Sequence, residues 1–378
     1  AAAAAAVQWP RDGTPHDPGA WLVRVASRRL LDGVRADRAR SAREERLGRA
    51  VPDDGWTSPS AEQPPRSPEQ DTLQLALLCC HPSLSRPSQV ALTLRSVTGL
   101  GVQQIAAAFL VPERTLTQRL TRARATLRAA GARFSMPSPA ELPARVGAVL
   151  DVCHLTFNEG YTRSSGDQLV DALLAEEAIA LVRRLRRALP DHDEVAGLLA
   201  LVLLTHARTP ARTDARGDLV PLAEQDRTRW DHDLVAEGIA LLERVLPRGP
   251  VGRYQLQAAI AAVHAEAAGA EQTDWEQIRV LYEMLERIAP GPAVTLNKAV
   301  AVGMARGAEH GLAVVEPLLE QESMRHHHRT HAVRAHLLER AGRVAEAADS
   351  YRQAARLTAS TPEQRYLNAR LRRLDGAR

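Results

Sequence analysis

The chain has 378 residues, an apolar content of 45% and a net charge of +4, and only 3% of its residues are aromatic. Such a length predicts two or three domains, and cores that must be built from alanine, leucine and valine favour packed helices over sheets. No segment approaches the roughly 18 apolar residues of a membrane span. Three cysteines, Cys79, Cys80 and Cys153, cannot make a disulfide framework and point to a reducing cytoplasm.

The charge is uneven. Residues 1–135 hold 19 arginines against 12 acids, a balance of +7, and the remainder carries 30 basic against 33 acidic residues, a balance of −3. The front third is therefore the expected polyanion binder.

In chain order, a first helix is expected from Asp17-Pro18, with Asp17 as N-cap and Pro18 at the first helical position. At 100° per residue its Arg24, Arg28 and Arg35 fall within about 40° of one another, giving a basic face for solvent or for phosphates. Residues 51–70 are rich in Pro, Ser and charge and read as a linker. A second helical block over 71–134 ends in GVQQIAAAFLVPERTLTQRLTRARATLR (101–128), two short helices with a tight break between them. In the second, Leu116, Leu120, Ala123 and Leu127 share one face, which leaves Arg114, Thr115, Gln118, Arg119 and Arg122 pointing outward. Val111 stands where an N-cap is expected, before Pro112. A helix-turn-helix with a basic outer face fits a DNA major groove; Arg and Gln can read base edges, and Thr115 and Thr117 can bond phosphates.

A break at SMPSPAELP (135–143) precedes a long helical extension with short Gly/Pro punctuation. Gly342 marks a helix–helix corner followed by Ala347, Tyr351 and Ala354, a tetratricopeptide-like spacing. Gly307 lies 35 residues before Gly342, and Gly269 lies 38 before Gly307. This loose period predicts helix pairs stacked into a solenoid.

Other clusters carry weaker signals. Adjacent Cys79 and Cys80 diverge by about 100° on a helix and suit a core better than one metal ion. His326, His327, His328 and His331, with His336 or a carboxylate, form the best alternative metal cluster, but a polar helix end is the expectation. Glu159, Tyr161, Asp226, Arg229 and Asp231 lie in polar stretches; packing networks are expected there rather than acids and bases of catalysis. No nucleophile–base pair, phosphate loop or metal motif is present, so neither enzymatic activity nor a cofactor is expected.

The segments DPGAWLVRVASRRLLD (17–32) and LLCCHPSL through ARATLR (77–128) resemble RNA polymerase sigma factors of the extracytoplasmic-function class. FNEGY (157–161), EQDRTRWD (224–231), YQLQAAIAAVHAEA (254–267) and LNKAVAV (296–302) resemble the subgroup with a long tetratricopeptide-like C-terminal extension. The resemblance implies an all-α protein. Residues 1–50 would be the end of sigma domain 2, with Trp21, Arg24, Arg28 and Arg29 on the −10-facing helix. After the 51–70 linker, 71–134 would be sigma domain 4, reading the −35 element through Arg114, Thr115, Thr117, Gln118, Arg119 and Arg122, and 135–378 the helical extension. The implied partners are core RNA polymerase and promoter DNA, with a regulatory protein or an intramolecular contact through the extension, and no membrane. Members of this class have helices before the tryptophan-containing segment, so the start of domain 2 is expected to be missing from this sequence. A helix-turn-helix regulator with a helical sensor domain is the competing expectation; the basic helix at 18–38 argues against it.

Overall fold

The computed structural model describes residues 76–77, 79–130 and 142–376. The expected helix at 18–38 and the 51–70 linker lie outside the described residues. The chain is all-α: fifteen α-helices, short 3-10 turns and one pair of two-residue strands make up its regular structure among the described residues.

Three helices form the front module: α1 (Arg86–Val97), α2 (Val102–Ala108) and α3 (Glu113–Ala129). Their core is Val90, Ala91, Leu94, Leu100, Ile105, Leu116, Leu120 and Ala123. The period-3.6 spacing of the α3 leucines puts them there, as the sequence predicts. Helix α3 starts one residue later than expected, because Pro112 is extended (φ −60°, ψ 145°) and serves as the N-cap. Its carbonyl still accepts from the amides of Thr115 and Leu116, at 2.9 and 3.2 Å.

The extension begins at α4 (Leu142–Tyr161), so the last residues of the expected break are already helical. Pro143 is tolerated there because the first-turn amides of a helix have no intrahelical partner. Then follow α5 (Ala172–Ala188), α6 (Asp193–His206), α7 (His232–Val245), α8 (Arg253–Glu266), α9 (Trp275–Ile288), α10 (Pro292–Arg306), α11 (Ala308–Val315), α12 (Glu322–Arg325), α13 (His328–Arg340), α14 (Val344–Leu357) and α15 (Thr361–Gly376). Most pack on a neighbour in sequence, while α8 lies chiefly against α6, and the core is a chain of clusters: one within α4–α8, one across α8–α10 and one across α10–α15. The corner at Gly342 has φ +74°, and Ala347, Tyr351 and Ala354 are all buried, as the spacing requires. Gly160 of FNEGY lets α4 touch α5 directly, since a Cβ there would lie 2.4 Å from the Ala175 amide nitrogen.

The two ends of the extension meet. Strand β1 (Ser165–Gly166) pairs in parallel with β2 (Ala359–Ser360), and Thr361 Oγ1 donates to Asp167 Oδ1 at 3.0 Å. The irregular stretch between α6 and α7 also reaches α15, through Asp218–Arg365 and Glu224–Arg370. The stack is thereby closed on itself rather than left open.

Helix α4 is shared. Val152 is fully buried in the core of the front module, with Leu155 packed beside it, while Val146, Val149, Leu150, Cys153 and Phe157 belong to the extension core. Conversely Ala76, Leu77 and Cys80, from the front of the expected sigma domain 4, lie in the extension core. The three cysteines are free and buried. Burial pushes the Cys153 thiol up to about 12, so it is inert as a nucleophile. Because Val152 completes the front core, a fragment of residues 71–134 is expected to give no cooperative thermal melt by circular dichroism, whereas the full chain does. A sharp two-state melt of the fragment would refute the shared core.

Candidate nucleic-acid interface

Helix α3 has one acid in its first turn, Glu113, and an arginine, Arg128, in its last, the order that its dipole favours. The threonine hydroxyls of Thr117, Thr121 and Thr126 donate back to the carbonyls of Glu113, Thr117 and Arg122 at 2.9, 2.9 and 3.0 Å. Their lone pairs remain free to accept. Arg114, Thr115, Thr117, Gln118 and Arg122 are all exposed. Arg124 and Arg128, which the sequence reading passed over, are exposed too. None of these four arginines has an ion-pair partner among the described residues. Their charge is therefore uncompensated on the outer face, as binding to a polyanion requires.

Arg119 departs from the expected outward set. It is half-buried, its guanidinium lies over the Phe109 ring at 5.3 Å from the centroid, and its Nη1 is enclosed without a hydrogen-bond partner. The reason is positional: Phe109 closes α2 beneath α3 and its ring face attracts the cation. Trp21, Arg24, Arg28 and Arg29, the expected −10 set, lie outside the described residues.

Three polar contacts fasten the front module to the extension. Asp151 on α4 accepts from Arg86 Nε through Oδ2 at 2.9 Å and from the Tyr254 hydroxyl through Oδ1 at 2.8 Å, and it also pairs with Arg253. One carboxylate thus joins α1, α4 and α8. Gln104 on α2 uses both ends of its amide: Oε1 accepts from the Gly101 amide at 2.9 Å and Nε2 donates to Glu159 Oε1 at 3.2 Å. Arg145 on α4 donates to the Leu77 carbonyl at 3.3 Å.

The other polar stretches turn inward on their own backbone. Glu159 also accepts from the Ser164 amide and hydroxyl at 3.2 and 3.1 Å. Tyr161 stacks on Phe157, and Arg212 lies over its ring at 3.6 Å while donating to its carbonyl. Asp226 and Asp231 accept from the amides of Thr228 and Leu234, capping a 3-10 turn and α7. His328 meets Glu363 at 3.0 Å, and His331 Nε2 lies 2.8 Å from the Arg325 carbonyl, so these rings do not converge. Among the described residues no group of three or more His, Cys, Asp or Glu is placed to hold a metal ion, and no helix is long and apolar enough to cross a membrane.

Residues 74–127 match the family model described as Sigma-70, region 4, and residues 145–246 match a family of unknown function, DUF6596. An uncharacterized protein of Rhizobium meliloti (strain 1021) is 42% identical over 363 residues, covering 96% of this chain and 85% of that protein. The chain belongs to the same family as that protein. No solved structure matches it. The helix-turn-helix thus lies within a match to sigma-70 region 4, which supports sigma-factor-like transcription initiation or DNA binding. In this family member the region 4 module and the DUF6596 segment are joined by α4 into shared cores.

Two predictions follow from the fastening. Asp151→Asn leaves two guanidiniums without their common carboxylate, and a loss of about 1–3 kcal/mol is expected by denaturant titration; an unchanged midpoint would show the cluster to be dispensable. His154 is half-buried on α4 against the Tyr254 ring, and desolvation lowers its pKa to about 4 from 6.5. Between those values the unfolded chain binds the extra proton, so stability falls as pH drops through 6.5 toward 4. The loss by pH 5 is about 2 kcal/mol for this histidine. Melting temperatures of wild type and His154→Gln, compared between pH 7 and 5, check this through a shallower pH slope in the variant.

Proposed function

We propose that the protein is an alternative sigma factor of the extracytoplasmic-function class, which brings core RNA polymerase to its promoters and carries out no chemistry of its own. The exposed, unpaired basic face of α3 within the region 4 match carries this reading. On it, Arg114, Thr115, Thr117, Gln118 and Arg122 contact the −35 element. Arg119 supports the helix and reaches DNA only by leaving Phe109. Trp21, Arg24, Arg28 and Arg29 engage the −10 element, where bases captured on the single strand drive melting. The cytoplasm is the compartment that polymerase and promoter require.

For the extension, the reading is a tetratricopeptide-like regulatory body held against region 4. Asp151, Glu159 and Val152 fasten the back of the module, and the α3 face stays open to solvent. That arrangement favours presentation of the recognition helix over concealment of it. Partner proteins or regulatory signals then act by changing how region 4 is held.

Run-off transcription with purified core polymerase, on a template carrying a duplex selected by the full chain from a randomised pool, tests the assignment. A polymerase-dependent transcript is expected. Duplex binding with no effect on the polymerase would instead favour a stand-alone helix-turn-helix regulator. Gln118→Ala is expected to weaken the selected duplex by about 1–3 kcal/mol while sparing a scrambled one, the mark of a base contact. An equal loss on both would make Gln118 a phosphate contact.

A further inference from the structure

The turn between α2 and α3 contains Leu110 at φ +52°, the single positive-φ residue other than glycine among the described residues. Glycine and asparagine adopt this left-handed conformation most readily; a leucine there carries a steric penalty through its Cβ. The backbone holds the turn in place, with the Leu110 amide donating to Ala107 O and the Val111 amide to Ala106 O, both at 3.1 Å. The side chain has a packing role of its own. It is half-buried, and it packs not on the front core but on the apolar cluster of α10–α15, which includes Leu312, Val315 and Leu318. Its neighbour Phe109 packs on the front core and lies beneath Arg119 of α3. Two successive turn residues therefore face two different cores, and the one that Leu110 meets begins only at Leu296.

We infer that Leu110 is a positioning residue, through which the last helices of the extension set the pose of the recognition helix. The contact path runs from the α10–α15 cluster to Leu110, then by one peptide bond to Phe109, and from that ring to Arg119 on α3. It is independent of the Asp151 and Glu159 fastenings, which reach α1 and α2 from α4 and α8. A rearrangement of the α10–α15 cluster thus reaches α3 without passing through the middle of the extension. This inference rests on the reading of α3 as a DNA-contacting helix.

Substitution at Leu110 separates this role from a local one, because the two predict opposite signs. Leu110→Gly and Leu110→Asn both suit φ +52° better than leucine, and both remove the apolar anchor; Leu110→Met keeps the anchor and the strain. Amide hydrogen exchange in the full chain, read over 113–129 and over 308–320 with α5–α8 as internal reference, needs no DNA. Faster exchange in both windows is expected for the Gly and Asn variants, with Met like wild type. Affinity for the duplex that wild type selects from a randomised pool is expected to fall about fivefold or more for Gly and Asn, and to hold for Met. Exchange equal to or slower than wild type in Gly and Asn overturns the inference, as relief of turn strain alone gives that result. A Met variant that behaves like Gly overturns it as well. If wild type selects no duplex, the DNA-binding reading fails, and the exchange data still decide whether Leu110 ties α3 to the last helices.

Discussion

The structure depends on α4 being buried on more than one face. A helix that is apolar on a single stripe ends a domain; one that is apolar nearly all round must be surrounded. Leu142–Tyr161 is of the second kind: Val152 and Leu155 complete the front module while Val149, Cys153 and Phe157 sit in the extension core. Polar groups on the same helix, Asp151 and Glu159, are satisfied by partners from both sides, Arg86 and Gln104 in front and Tyr254 behind. Removal of either side would leave buried apolar surface and unpaired charge together. The region 4 module and the extension are therefore packed through a common helix over the described residues.

That union fixes how the front module is held. A free helix-turn-helix on a linker samples many poses and loses orientational entropy when it docks. Held at its back by α4 and at its turn by Leu110, the module presents α3 in one pose with its cations facing solvent. Closure of the helical stack, through β1–β2 and the contacts of the 207–231 stretch with α15, makes the anchoring surface a single body instead of an open spring. The polar motifs of that stretch serve this closure. Arg212 over Tyr161, and Asp231 capping α7, hold the chain where it crosses between helices in short 3-10 turns and loops.

Much of this was legible in the sequence. The period of Leu116, Leu120 and Ala123 predicted the α3 face that is buried, and the small residues around Gly342 predicted a tight helical corner with Tyr351 inside. The fate of Arg119 was not legible. Helical spacing gives an angle around the axis but not the length or direction of a long side chain, and Phe109 lies within its reach. The start of α3 moved by one residue for a similar reason, since Pro112 serves either as a first helical residue or as an extended cap.

By itself the sequence determined the helical class and the basic outer face of α3, because these follow from local periodicity and composition. Only the tertiary structure decided that the two parts share α4, that Asp151 gathers arginines from α1 and α8, and that a leucine occupies a left-handed turn. Each depends on contacts between residues tens to hundreds of positions apart. Such pairings leave no periodic mark in the chain, because their energy comes from burial and charge complementarity that exist only once the helices have been brought together.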